Sequence, residues 1–295
     1  MLFSDAGGSL ILKRFSQPTR SLELKIPLIQ IDTFTDKVLR GNPAAVCPLT
    51  EWLEDRVMQA VAAENNLSET AFFVRAHAGD AGYELRWFTP NVEVGLCGHA
   101  TLAAGDVVLS DLEPGAAEVV FQTKSGSLKV AREGDRLVMD FPARPAAPHP
   151  APEMLLAGLG AAPAEVLAGD DYIAVFNNAA EVAALAPDLD KFCQLDRRGV
   201  VATAPGESVA TAPGEDAASD YVLRFFAPKN AVPEDPVTGN VQTELVPYWA
   251  ARLGKKRLAV RQLSARGGSM VCEDLGERVL IAGQCVRFFA GEVSL

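Results

Sequence analysis

Three short stretches of the chain carry side chains suited to proton chemistry. In Asn66-Leu67-Ser68-Glu69-Thr70-Ala71-Phe72-Phe73 a carboxylate enters an apolar run. Apolar surroundings raise a carboxyl's proton affinity, which brings Glu69 toward the range a general acid/base needs near neutral pH. Its bland alternative is a strand-edge glutamate reaching water. In Leu96-Cys97-Gly98-His99-Ala100-Thr101 a glycine opens an apolar helical run, and the free N–H groups of such a start can hold an anion. His99 either donates to a ligand and shuttles a proton or caps local backbone. Cys97 stands where a positive helix end favours a thiolate. In Glu234-Asp235-Pro236-Val237-Thr238-Gly239-Asn240, Asp235 is either a turn acid or a substrate-orienting acid, and Gly239-Asn240 offers a second helix start. Gly98 and Gly239 can equally be plain turn residues.

The second and third stretches belong to an internal repeat. Leu85-Arg86-Trp87-Phe88-Thr89-Pro90 answers Leu223-Arg224-Phe225-Phe226-Ala227-Pro228. Three residues are then inserted in the later copy, and Glu93…Gly98-His99 answers Glu234…Gly239-Asn240. Downstream, Gly126-Ser127-Leu128 answers Gly268-Ser269-Met270, and Gly134 to Val138 answers Gly276 to Leu280. Three segments in one order at a nearly constant spacing indicate two copies of one architecture. If a pseudo-twofold relates them, both glycine-started helices face one cleft, where their amides clasp a small carboxylate from two sides. Cys97 is answered by Thr238, so a two-thiol racemase, one acid and one base across the cleft, lacks half its apparatus.

The elements that must position these groups are legible in outline. Residues 26–34 alternate as a strand, Gly41-Asn42-Pro43 predicts a loop, and Leu53, Val57, Ala60 and Val61 share a helix face. A short strand follows Glu69, and hairpins surround Gly126 and Gly134. Thr101 to Leu109 is apolar nearly all round, which predicts a helix enclosed by strands. Prolines 142, 145, 148, 150 and 152 mark a linker between halves. Beyond it come a strand at Tyr172 to Phe176, a helix from about Glu181, a strand at Gly199 to Thr203, and a surface loop in the doubled Thr-Ala-Pro-Gly-Glu of 203–207 and 211–215. The helix from Val241 to Leu253 is closed by Gly254, with Pro247 placed to kink it. The predicted fold class is therefore α+β: two pseudo-symmetric domains, each of strands wrapped round a central helix. The halves are 26–145 and 146–295, preceded by an N-terminal extension, 1–25, that neither repeat includes.

Composition narrows the function. A chain of 295 residues is comfortable for two domains, and 48% apolar residues exclude general disorder. Net charge −11 without a basic run gives nucleic-acid binding no support. No apolar run approaches the ~20 residues of a membrane-spanning helix. Five scattered cysteines with no C-x-x-C pair argue for a reducing, cytoplasmic setting, and with three histidines they give no metal site.

The motifs together resemble the PhzF-like family, named for the isomerase of phenazine biosynthesis, which shares the diaminopimelate epimerase fold. The resemblance rests on Asp32-x-Phe34-Thr35…Gly41-Asn42-Pro43-Ala44-Ala45-Val46, the Asn-Leu-Ser-Glu-Thr-Ala of 66–71, Arg86 to Pro90, Leu96 to Thr101, Glu234 to Gly239, Pro247-Tyr248-Trp249 and Gln262 to Gly268. It implies two halves, each an antiparallel barrel-like sheet wrapped round its central helix, with the site between them, no metal or organic cofactor, a homodimer, and a final strand (near 284–295) that can return to the first half. It also implies Glu69 as proton carrier, with His99 and Asp235 holding or polarising a substrate bound at Gly98, Gly239 and Asn240. Where that family often continues Gly-Ser-Ala-His, this chain has Gly239-Asn240-Val241-Gln242, and Asn240, bulkier than serine, narrows the pocket. The expected activity is a cofactor-independent isomerisation that moves a proton between carbons of a small carboxylate. The rivals are a thiol-assisted epimerase or dehydratase, and a non-catalytic binding or interaction protein on the same scaffold.

Overall fold

A computed structural model describes residues 24–77, 82–206 and 218–295. The first copy runs β1 (Lys25–Thr33), β2 (Asn42–Pro48), α1 (Asp55–Asn65), β3 (Glu69–Arg75), β4 (Tyr83–Phe88), β5 (Glu93–Val94), α2 (Gly98–Val107), β6 (Glu118–Thr123), β7 (Gly126–Glu133) and β8 (Arg136–Pro142). The second runs β9 (Ala147–Pro148), α3 (Glu153–Leu159), β10 (Glu165–Ala168), β11 (Tyr172–Val175), α4 (Ala179–Ala183), α5 (Leu189–Phe192), β12 (Val200–Pro205), β13 (Tyr221–Ala227), β14 (Val232–Asp235), α6 (Gln242–Leu253), β15 (Arg257–Gln262), β16 (Gly268–Asp274) and β17 (Arg278–Gly283). β18 (Cys285–Ser294) closes the chain and lies antiparallel to β1.

Strand pairing repeats copy for copy. β2–β3 is parallel, β3–β4 antiparallel and β4–β6 parallel. In the second copy β11–β12 is parallel, β12–β13 antiparallel and β13–β15 parallel. β18 takes beside β1 the place that β9 takes beside β10. The copies meet through β8 and β17, antiparallel from Leu137↔Gly283 to Pro142↔Arg278. This is the α+β arrangement of two helix-centred copies that the repeat predicts, but the sheets are mixed rather than antiparallel, because β2–β3, β4–β6, β11–β12 and β13–β15 are joined by crossovers and run parallel.

Each copy wraps its strands round one helix. α2 buries His99 to Gly105 and Val107 and packs on strands β1, β2, β3, β7, β8 and β18. Its alanines and glycines let strands close on it from all sides. α6 buries Leu245, Val246 and Trp249, the last stacked on Tyr221 with ring centroids 5.5 Å apart. It continues through Pro247 to a left-handed Gly254 cap.

Three local expectations change. Asn42 and Pro43 open β2, where Pro43 pairs with Asp32 and the Asn42 backbone carbonyl takes the Thr33 hydroxyl. The proline-rich stretch is no free linker: Pro142 ends β8, Pro148 pairs with Leu167, and Pro152 caps α3. Proline fits there because these are strand ends and a helix start, where its missing N–H costs little. Thr203 to Pro205 is interior strand, because the Thr203 hydroxyl bonds Val222 O and takes the Trp249 indole N–H. The rest of the doubled loop, 207–217, lies outside the described residues, as does nearly all of the 1–25 extension. The helix expected from about Glu181 begins at Ala179, with the Asn178 side chain accepting the Glu181 N–H.

Candidate active site

A cavity of about 580 Å³ opens where the two helix starts converge, lined by Gly98 and His99 from one and Thr238, Gly239 and Asn240 before the other. Glu69, Cys97 and Asp235 complete that wall. All seven residues singled out from sequence, Glu69, Cys97, Gly98, His99, Asp235, Gly239 and Asn240, thus meet in one place.

Glu69 is the first residue of β3, beside Ala44 of β2, so its side chain leaves the sheet just where α2 begins. Burial, reinforced by the charge of Asp235, raises its carboxyl to about 7. His99 Nε2 stands 3.2 Å from Glu69 Oε2. The approach is close but not aligned as a hydrogen bond, and both atoms are buried without a partner. Burial lowers His99 to about 4, so the ring is neutral at pH 7. Cys97 Sγ lies 3.5 Å from His99 Nδ1. A thiol donating there leaves the ring proton on Nε2, directed at the space beside Glu69. Burial holds the Cys97 thiol well above its usual range, the reverse of what a helix end alone predicts.

Asp235 ends β14 in a wholly tied position. Asn42 Nδ2 donates to its Oδ1 at 2.9 Å and the Thr238 hydroxyl to its Oδ2 at 2.5 Å. Burial raises Asp235 to about 6 against those two donors and the Arg198 charge. Gln262 fastens the turn from below: its Oε1 accepts from Thr238 N at 2.8 Å and its Nε2 donates to Asp235 O at 2.8 Å.

The two helix-start glycines are not demanded by packing. Neither has a positive φ. A Cβ on Gly98 would come no nearer than 3.7 Å to Met139, and one on Gly239 no nearer than 3.5 Å to Phe34, both ordinary contacts. Gly105, on the same α2, is different: its Cβ would fall 2.6 Å from Val130 Cγ1 and 2.9 Å from Val130 Cβ. A Cβ atom cannot rotate away, so backbone would have to shift. Gly105→Ala is therefore expected to lower stability by about 1–2 kcal/mol, overpacking outweighing alanine's helix preference. Gly98→Ala is expected to stay within ~0.5 kcal/mol of wild type while losing carboxylate affinity. Urea unfolding and ligand titration of the two variants check both halves of that contrast.

The repeat encodes the bracing of both helix starts. Arg86 grips Glu93 side-on, at 2.8 and 2.9 Å, and Arg224 grips Glu234 at 2.7 and 2.9 Å. The Arg86 guanidinium holds Glu93 down at about 2. Each forked pair ties a long strand to the segment leading into a helix start. Both partners stand in the repeated motif, and only their pairing was invisible there.

Asn42, Thr238 and Gln262 stand in recognised motifs but were assigned no role there, and the cavity cations Arg198 and Lys229 have no local signature. Arg198 sits in an unremarkable Asp196-Arg197-Arg198 run and faces the cavity only through contacts with residues distant in sequence. Glu69, Cys97 and His99 bring a carboxylate oxygen, a sulfur and a ring nitrogen within 4.8 Å of one another, close enough for one ion. A thiolate there would form against burial and the adjoining acids, which opposes such use.

Helix-centred paired barrels with this cleft define the epimerase-type fold. A hydroxyproline epimerase from Agrobacterium vitis shares that fold at TM-score 0.56 and 10% identity, over 92% of this chain and 93% of its own. Residues 31–291 match the phenazine biosynthesis-like protein model, PhzC-PhzF. An uncharacterized isomerase of Pseudomonas aeruginosa is 48% identical over 92% of this chain and its own full length. A PhzF-family phenazine biosynthesis protein from Enterococcus faecalis superposes at TM-score 0.86 with 38% identity, covering 92% of this chain and all of its own. The chain belongs to the PhzC/PhzF family of phenazine biosynthesis-like proteins and is an isomerase. No helix among the described residues is long and apolar enough to cross a membrane.

Proposed function

We propose that the protein isomerises a small carboxylate-bearing substrate without a cofactor, with Glu69 as the proton carrier. The observation that carries this reading is the buried, raised carboxyl of Glu69 at the cavity wall, its Oε2 without a hydrogen-bond partner, beside two helix starts whose glycines the packing does not require. A carboxyl near 7 is divided between acid and base at neutral pH, so one group can take a proton from carbon and return it to another. Glycine amides without side chains let a substrate carboxylate come close, and their N–H groups stabilise charge that develops as the proton leaves. His99 Nε2 polarises the same region, and Asp235 orients a ligand hydroxyl or amino group. The Asn240 Oδ1 atom, also buried without a partner, adds an acceptor at the second helix start.

Incubation in deuterated water with a panel of small cyclic amino and hydroxy acids tests the reading. Deuterium entering carbon positions is expected. A thermal shift by those acids with no exchange replaces the isomerase reading with the binding-only one. The thiol-assisted rival has its own test, since burial leaves Cys97 protonated. Cys97→Ser is expected to keep exchange within about tenfold of wild type, and a loss of several orders of magnitude restores the thiol mechanism.

The reading extends to a homodimer in the cytoplasm. β18 has β1 as its one partner among the described residues, and Phe288 and Phe289 on it are 49% and 47% exposed. Such an edge favours self-association; a monomer mass by light scattering at working concentration removes that part.

A further inference from the structure

The cleft is not symmetric in charge. In the first copy the residue opening β3 is the acid Glu69. In the second copy the residues leading into β12 carry a cation instead, Arg198, two positions before the strand. The three-residue insertion that distinguishes the second repeat adds another, Lys229, in the turn of Pro228–Asn230. Both cations line the cavity that holds Glu69 and Asp235.

Arg198 is held rigidly and left partly open. Its Nε donates to Asp171 Oδ1 at 3.1 Å and its Nη2 to Asp171 Oδ2, and Asp171 is fully buried. Its guanidinium carbon lies 5.5 Å from the centroid of Phe225, another cavity residue. With Nε and Nη2 turned to Asp171, Nη1 makes no protein hydrogen bond among the described residues, and the side chain keeps 33% exposure. Lys229 Nζ spends one donor on Leu195 O at 2.6 Å, which leaves an ammonium with donors to spare. Asp171, with Asp170 and Glu244 nearby, balances the Arg198 charge, so what Arg198 and Lys229 bring to the cavity is hydrogen-bond donors rather than a net positive wall. A fixed fork at a cavity wall, with Nη1 left without a protein partner among the described residues, is suited to a planar oxyanion.

We propose that Arg198 is a specificity-determining residue that grips a second carboxylate, so that the site selects small dicarboxylates over monocarboxylates of the same skeleton. The first carboxylate is the one assigned above to the helix starts, and the inference rests on that reading. Lys229 supplies the attraction, and Arg198 supplies the orientation.

The test is calorimetric titration with two matched pairs, benzoate against isophthalate and butyrate against glutarate. In wild type the diacid of each pair is expected to bind about tenfold tighter or better, the scale of one charge-assisted contact. In Arg198→Met that ratio is expected to fall to about twofold or less. Because this change leaves buried Asp171 without its partner, the pair Asp171→Asn/Arg198→Gln is measured beside it, and the same collapse is expected there. A wild-type ratio near one, including failure of all four acids to bind, overturns the assignment. So does a ratio that survives in either folded variant. Deuterium exchange with the earlier panel is read separately: exchange without diacid preference removes the role of Arg198 alone, and preference without exchange removes the isomerase reading alone.

Discussion

Glu69→Gln is expected to lose turnover by roughly 10²–10⁴-fold, the scale of a positioned acid/base, while becoming more stable than wild type at alkaline pH. The second effect follows from the raised carboxyl. Its folded value is about 7 against an ordinary 4.5, so between those values the folded chain keeps a proton that the unfolded chain has released. Stability therefore falls as pH rises through that window, by about 1.4 kcal/mol for each unit of the difference. The full cost, on the order of 3 kcal/mol, is present above pH 7 and absent below pH 4.5. Glutamine keeps the shape and never ionises, so the variant escapes the cost. Thermal melts should place it several degrees above wild type at pH 8, with the gap closing toward pH 4.5. A variant that retains full exchange activity, or that melts no higher than wild type at pH 8, would falsify the assignment of Glu69 as a buried proton carrier.

Gln262→Leu is expected to be the most damaging change outside the residues that face the cavity. Gln262 is fully buried and joins Thr238 N, Asp235 O and the Thr238 hydroxyl, the last at 3.2 Å. Leucine fills similar volume but pairs with none of them. A buried N–H and a buried carbonyl are then left open, each at about 1–3 kcal/mol. A loss of about 3 kcal/mol in urea unfolding is the expected sum, some of it relieved by relaxation. Relaxation is itself harmful, because the same turn aims Asp235 and starts the approach to α6. A displacement of 1 Å there is worth up to about 10²-fold in rate, so exchange should fall by one to two orders of magnitude. If stability drops by less than 1 kcal/mol and the rate is unchanged, Gln262 is filler rather than a positioning residue.

Much of the site was readable because its parts are local. Glu69 stands in an apolar run, Gly98-His99 opens a helix, and Glu234 to Asn240 repeats the pattern. The duplication was visible only from β4 onward, where both copies keep the same strand, turn and helix start. Upstream of it α1 in one copy answers the shorter α4 and α5 in the other, so no periodicity survives to be detected. The proline-rich segment does fall between the two copies, but its pairing is hidden for a related reason. Proline signals a break in local structure, but Pro142 and Pro148 sit at strand ends whose partners, Arg278 and Leu167, lie elsewhere in the chain. Arg198 was missed because nothing near it in sequence is unusual. Its place at the cavity wall is fixed by Asp171 and Phe225.

By itself the sequence determined the duplication, the glycine-led α2 and the glycine turn that enters α6, the missing second thiol and the acid in the Ser-Glu-Thr segment, since turn chemistry and side-chain periodicity act over a few residues. Only the tertiary structure decided how those groups behave. Burial, with Asp235 from the other copy beside it, pushes Glu69 upward, burial keeps Cys97 protonated and His99 neutral, and room for a Cβ removes the packing excuse for Gly98. Proton affinity depends on desolvation and on charges within a few ångströms, and in this chain those neighbours are brought together by folding rather than by order along the backbone.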